Sequence, residues 1–103
     1  MKTIITASGK STSSLFDKRF GRAPWFCLFN EVTGDIEFIE NKNASLKKGA
    51  GTSAVNKLKS LDIQKIISGD FGEKTKNALE SNNIQMVIMT ENKTIQQIID
   101  LFK

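Results

Sequence analysis

The chain has 103 residues, 39% of them hydrophobic and 25% charged, a composition that supports one globular domain spanning residues 1–103. One cysteine excludes an internal disulfide framework, and the apolar run in "MKTIITASGK" is too short for the core of a signal peptide. No stretch approaches ~20 apolar residues, so a soluble cytoplasmic protein without membrane contact is expected. The formal net charge of +4 is uneven: from Asn41 to Leu61 there are five lysines and no acidic residue. A local basic stretch of that kind serves either as a solvated face or as a surface for an anionic partner.

Taken in chain order, "TIITA" (Thr3–Ala7) reads as a first strand, because β-branched residues dominate it. Ser8 to Arg22 is polar and irregular. It contains "GKST", which invites a phosphate-loop reading, but the glycine that motif needs five residues earlier is Ile4. No helical pattern begins at Ser11 either, so no nucleotide is expected. "PWFCLF" (Pro24–Phe29) reads as a buried strand with proline at its tolerated first position. "EVTGD" is a hairpin turn that needs positive φ at Gly34, and "DIEFIE" is the return strand, with Ile36 and Phe38 on one face.

From residue 49 the pattern changes to helices alternating with strands. Val55, Leu58 and Leu61 recur at helical spacing, and "IQKIIS" (Ile63–Ser68) follows as a strand. Asp70 and Glu73 have the spacing of a capping box before a helix with Phe71, Thr75, Ala78 and Leu79 on its apolar face. Asn82 and Asn83 stop that helix. "IQMVIM" is the last strand, and Thr94 with Gln97 predicts a second capping box before the stripe Ile95, Ile98, Ile99 and Phe102. The order β-β-β-α-β-α-β-α predicts an antiparallel hairpin joined to right-handed parallel crossovers. The result is a mixed five-stranded sheet covered by helices on both faces. Ligands of such sheets bind outside the carboxyl ends of the strands.

Two glycine-rich helix starts are predicted at that edge. In "KKGAGTS" the glycines let the backbone approach a ligand, unpaired N–H groups and the helix dipole favour an anion, and Lys47 and Lys48 add charge. "SGDFG" repeats the arrangement with Gly69 and Gly72, although Asp70 between them opposes an anion. The plain alternative for each is a helix start with a polar cap. In "FDKRFGRAPWF", Arg22 offers a rigid fork for an anion, against the alternative that Phe20 anchors the loop and Arg22 covers it. Cys27 lies mid-strand, where a thiol behaves as a small hydrophobe. With no histidine and three scattered methionines, a metal site made of protein ligands alone is not expected. Neither is catalysis: no nucleophile has an evident partner, and no carboxylate pair is placed by spacing.

The segments "FGRAPWFCLFNEVTGDIEFIEN", "KKGAGTSAVNKL" and "ISGDFGEKTKNALESNNIQMVI" resemble the dinitrogenase iron–molybdenum cofactor-binding family, the nitrogenase accessory proteins and their small single-domain relatives. The resemblance covers essentially the whole chain. Its markers are FGRAP with a following aromatic, Asn41 after the third strand, GAG at 49–51 and G-x-x-G at 69–72. It implies a ribonuclease H-like α/β fold and a non-catalytic role in binding or carrying a metal–sulfur cofactor or its precursor, with a cluster donor or acceptor protein as partner. It places the cofactor at Phe20, Gly21, Arg22, Gly49, Ala50, Gly51, Gly69 and Gly72, beside Lys47 and Lys48 from the basic stretch. It also implies a cysteine or histidine ligand, for which Cys27 is the one candidate. Without such a ligand the chain would take an anionic cluster by charge and backbone N–H groups, or serve as a cofactor-free interaction module. Nucleic-acid binding is not expected, because "TIITAS" lacks the metal-binding Asp of a ribonuclease H-like nuclease.

Overall fold

The computed structural model of the protein describes residues 1–102. Its elements follow the expected succession: β1 (Lys2–Ala7), β2 (Trp25–Asn30), β3 (Ile36–Glu40), α1 (Ala50–Leu58), β4 (Lys65–Ser68), α2 (Glu73–Ser81), β5 (Gln85–Ile88) and α3 (Ile95–Leu101). A 3-10 turn at Lys59–Leu61 prolongs α1 and takes Leu61 off the helix proper. The sheet runs β3-β2-β1-β4-β5. β2 is antiparallel to both β1 and β3, whereas β1, β4 and β5 are parallel. This is the mixed, ribonuclease H-like arrangement that the sequence predicts. Gly34 turns the β2–β3 hairpin at φ 82°, a conformation that glycine adopts without steric cost.

Helices cover both faces. On one, Ile4, Phe26 and Ile66 pack against Ala54, Val55 and Leu58 of α1 and Leu79 of α2. On the other, Ile5, Cys27, Phe29 and Ile67 pack against Ile95, Ile98 and Ile99 of α3. Neighbouring residues such as Ile4 and Ile5 therefore enter opposite cores, and this is why the central strands are apolar without alternation. No helix among the described residues is long and apolar enough to cross a membrane.

The two expected capping boxes have different outcomes. Thr94 and Gln97 form theirs, each side chain bonding the other's backbone N–H. Asp70 and Glu73 do not: α2 begins at Glu73, its N-cap is Gly72, and no side chain caps it. The reason is packing. Phe71 is buried against the core, which keeps Gly72 extended (φ −64°, ψ 161°) and starts the helix two residues beyond Asp70's reach. The Ser8–Ser14 segment has no helix after Gly9, so the phosphate-loop reading fails structurally as well. Lys10 instead lies over the Trp25 ring, 5.7 Å from its centroid.

Candidate anion-binding cleft

β1 and β4 are parallel, so they end at the same edge, and the chain between Phe16 and Ala23 lies across it. Backbone bonds dock this segment, Asp17 N–H to the Thr6 carbonyl (3.0 Å), and a bridge pairs Arg19 with Asp70 beyond β4. The Phe20 ring is its anchor, 2% exposed and tilted against Phe26 (6.1 Å) and Phe71 (5.5 Å). Gly21 is thereby pressed onto the first turn of α1. A Cβ there would lie 2.6 Å from Gly51 N, 2.8 Å from Gly51 Cα and 3.0 Å from Ala50 C. Gly51 in turn abuts the Thr75 hydroxyl of α2. Two glycine-dependent contacts thus bring one loop and two helix starts together.

They enclose a cleft of about 360 Å³. The loop contributes Arg19, Phe20, Gly21 and Arg22, and the start of α1 contributes Lys47 through Gly51. Asp70, Gly72 and Thr75 close the third side. Gly49 caps α1 in the left-handed region (φ 76°). The first bond into α1 is Ser53 N–H to the Gly49 carbonyl, 2.9 Å, which leaves the N–H groups of Ala50, Gly51 and Thr52 without an intrahelical partner. No acidic residue stands in that first turn, whereas α2 carries Glu73 in its own. α1 is therefore the better end for an anion. The Thr52 hydroxyl donates back to the Gly49 carbonyl (3.1 Å), so it is not aimed at the cleft.

The charges at the rim are not equivalent. Arg19 is bound to Asp17 through Nε (3.0 Å) and Nη2 (2.8 Å), and its backbone N–H bonds the same carboxylate (2.9 Å). Burial works against a charge on Asp17, but these side-chain and backbone hydrogen bonds outweigh it and hold the carboxyl below its ordinary value. The guanidinium of Arg22 donates to loop carbonyls: Nη1 to Ala44 (3.1 Å) and Leu46, Nη2 to Lys47 (3.4 Å). Lys47 and Lys48 are exposed and carry no ion pair among the described residues. Asp70 is the opposing carboxylate in the lining.

Most of the residues predicted from sequence thus converge here: Phe20, Gly21, Arg22, Lys47, Lys48, Gly49, Ala50, Gly51 and Gly72. Two do not. Gly69 faces Lys18, whose Cα would lie 2.9 Å from an added Cβ, so its place is in docking the loop onto the end of β4. Cys27 is a correction as a candidate metal ligand. It is fully buried in the core beneath α3, and burial pushes its thiol up to about 12. A protonated, enclosed thiol is a poor ligand. Among the described residues no three His, Cys, Asp or Glu side chains gather as a metal site.

Near pH 8 the native Cys27 thiol is therefore expected to react with an aromatic disulfide reagent only as the protein unfolds. Stoichiometric labelling within the mixing time would overturn its burial. The folded state keeps a proton that the unfolded chain releases near the ordinary value of 9.0. The Cys27 contribution is accordingly full below pH 9 and declines toward pH 12, by about 1.4 kcal/mol per pH unit relative to Cys27→Ala.

The residues missed in the sequence are Asp17, Arg19 and Thr75. "DKR" did hold a signal, since an Asp followed two residues later by a donor commonly closes a local turn. Asn41 has a defined role as well. Its buried amide donates to the carbonyls of Gly21 (3.1 Å) and Ala23 (2.9 Å), latching the FGRAP segment to the end of β3. Asn41→Ala should cost about 2 kcal/mol, because it leaves two enclosed carbonyls unpaired. Urea denaturation checks this, and a loss under about 0.5 kcal/mol would refute the latch.

Two solved structures resemble the chain closely. The apo form of the orange protein from Desulfovibrio gigas matches with a TM-score of 0.91 and 29% identity, over 98% of this chain and 85% of that one. The NMR structure of a Thermotoga protein provisionally described as a NifB protein, of the DUF35 family, matches with a TM-score of 0.85 and 28% identity over the same shares. Among curated proteins, none matches. Residues 1–103 match the model of the dinitrogenase iron–molybdenum cofactor family, and the chain belongs to that family.

Proposed function

We propose that the protein binds and carries an anionic metal–sulfur cofactor, or a precursor of one, without transforming it. The observation that carries this reading is the cleft, where N–H groups of α1 without an intrahelical partner and two lysines without an ion pair among the described residues meet behind a glycine-lined wall. Metal-bound sulfides are acceptors with spread negative charge. Backbone N–H groups and ammonium ions suit them without a ligand bond to the protein. The donor set agrees with that mode and not with coordination, since Cys27 lies in the opposite core. Membership of the iron–molybdenum cofactor family supports cargo of that class, and the Thermotoga neighbour's description supports a place beside nitrogen fixation. Such a carrier works in the cytoplasm between a cluster donor and an acceptor protein.

A second reading has its own observation. Both arginines at the cleft are already bonded, Arg19 to Asp17 and Arg22 to carbonyls. A cofactor-free interaction module on the same fold would look like this too. Anaerobic titration with tetrathiomolybdate, followed by visible absorption and gel filtration, separates the two. Stoichiometric, salt-sensitive co-migration is expected of the carrier. Absence of co-migration with both this anion and an iron–sulfur cofactor precursor would leave the interaction module.

A further inference from the structure

The loop joining β3 to α1 brings Lys47 and Lys48 to the cleft, and little besides Arg22 holds it. Residues 45–49 are exposed, and the backbone bonds within the loop are long: Ala44 N–H to the Asn41 carbonyl at 3.3 Å, Leu46 N–H to the Asn43 carbonyl at 3.2 Å. The ends are anchored by the Asn41 amide and by Ala50 under Gly21. Between those anchors, the Arg22 guanidinium reaches three carbonyls, those of Ala44, Leu46 and Lys47.

We propose that Arg22 is a positioning residue. It clamps the lysine loop over the cleft, and Lys47 and Lys48, not the guanidinium, make the charged contacts to the anion. This rests on the carrier reading above. Three physical arguments support it. A planar fork with several fixed donors can bridge successive carbonyls, which a single ammonium cannot do in one geometry. A loop already ordered before the anion arrives also spares the entropy of ordering two long side chains during binding. The guanidinium further turns three carbonyl dipoles, which would repel an anion, into a neutralised layer.

The test compares wild type with Arg22→Gln, Arg22→Lys, Lys47→Gln/Lys48→Gln and the combined Arg22→Gln triple variant, with two readouts. Without any anion, peptide mapping after endoproteinase Lys-C follows cleavage at Lys47 and Lys48. Cleavage at Lys74 and Lys76 in α2 serves as the internal control for the fold. Cleavage at the loop lysines is expected to rise about tenfold in both Arg22 variants, with the α2 sites unchanged. With tetrathiomolybdate, both Arg22 variants should bind on the order of tenfold more weakly. Adding Arg22→Gln to the variant lacking the lysines should cost less than about twofold more, because positioning and positioned residues act as a unit.

Full rescue by Arg22→Lys, or an Arg22→Gln loss that adds undiminished to the lysine-free background, would make Arg22 a direct contact and overturn the proposal. So would unchanged cleavage at Lys47 and Lys48. If wild type binds neither thiomolybdate nor an iron–sulfur cofactor precursor, the carrier reading falls by itself. The cleavage assay then still decides the clamp, which faster loop cleavage upholds and equal cleavage refutes.

Discussion

Gly21→Ala is expected to destabilise the protein by about 2–3 kcal/mol, a large effect for one methyl group. The atoms it would meet are backbone, Gly51 N at 2.6 Å, Gly51 Cα at 2.8 Å and Ala50 C at 3.0 Å, so no rotamer change relieves the clash. Neither partner can retreat. Gly51 is itself against Thr75, and Gly21 is fixed by the buried Phe20 ring on one side and the Asn41 amide on the other. The urea midpoint should fall with the slope unchanged, and the melting temperature should drop by roughly 10–20 °C. Gly72→Ala is the control. It lines the same cleft, has φ −64°, and nothing lies within 4 Å of its would-be Cβ. It should be neutral within about 0.5 kcal/mol, or slightly stabilising through the unfolded state. Equal losses at both positions would refute close backbone approach as the reason for Gly21.

This contrast shows what a sequence conveys and what it withholds. The alternation of apolar strands and helical stripes was enough to order every element, because burial on two faces writes itself into local composition. The Thr94–Gln97 cap was legible since both partners lie within one turn. The Asp70–Glu73 pair has the same spacing and fails, because burial of Phe71 is decided by the far side of the core. The same divide runs through the site. Glycines at both helix starts could be read as letting the backbone approach a ligand; in the fold Gly51 and Gly69 are pressed against other parts of this chain, as is Gly21 in the loop, whereas Gly49 and Gly72 are not. Which neighbour each one touches could not be read. Lys18 beneath Gly69 and Thr75 beside Gly51 are brought there by sheet order and helix packing, which leave no mark near either glycine.

Arg22 carries the lesson further. An unpaired arginine in a loop looks available, and its carbonyl partners lie in a different connection of the fold. Backbone acceptors have no side-chain signature, so no inspection of charge pairing would have found them. Arg19 is the opposite case: its partner Asp17 is two residues away, within reach of a local reading.

With both arginines bonded, the cleft's response to an anion should rest on the lysines, and reversing them is the decisive substitution. Lys47→Glu with Lys48→Glu changes the local charge by four units at the mouth of the cleft. Even at the dielectric of water, a unit pair 4 Å apart interacts by about 1 kcal/mol, and a thiometallate dianion doubles each term. Affinity for tetrathiomolybdate should therefore fall at least about a hundredfold, and the remaining binding should lose its dependence on salt. Stability should change by no more than about 0.5 kcal/mol, because both side chains are exposed and acidic groups are tolerated ahead of a helix. Lys57→Glu with Lys59→Glu separates local contact from overall charge. It makes the same change in net charge within the same basic stretch, but at the far end of α1. Screening over about 10 Å at 0.1 M salt should leave that variant within a few-fold of wild type. If the two double variants weaken binding equally, the anion is attracted by the charge of the whole chain, and the cleft loses its claim to be the site. If only the first one does, the lysines beside Gly49 are the contacts, and the glycines behind them serve to bring backbone donors to the same anion.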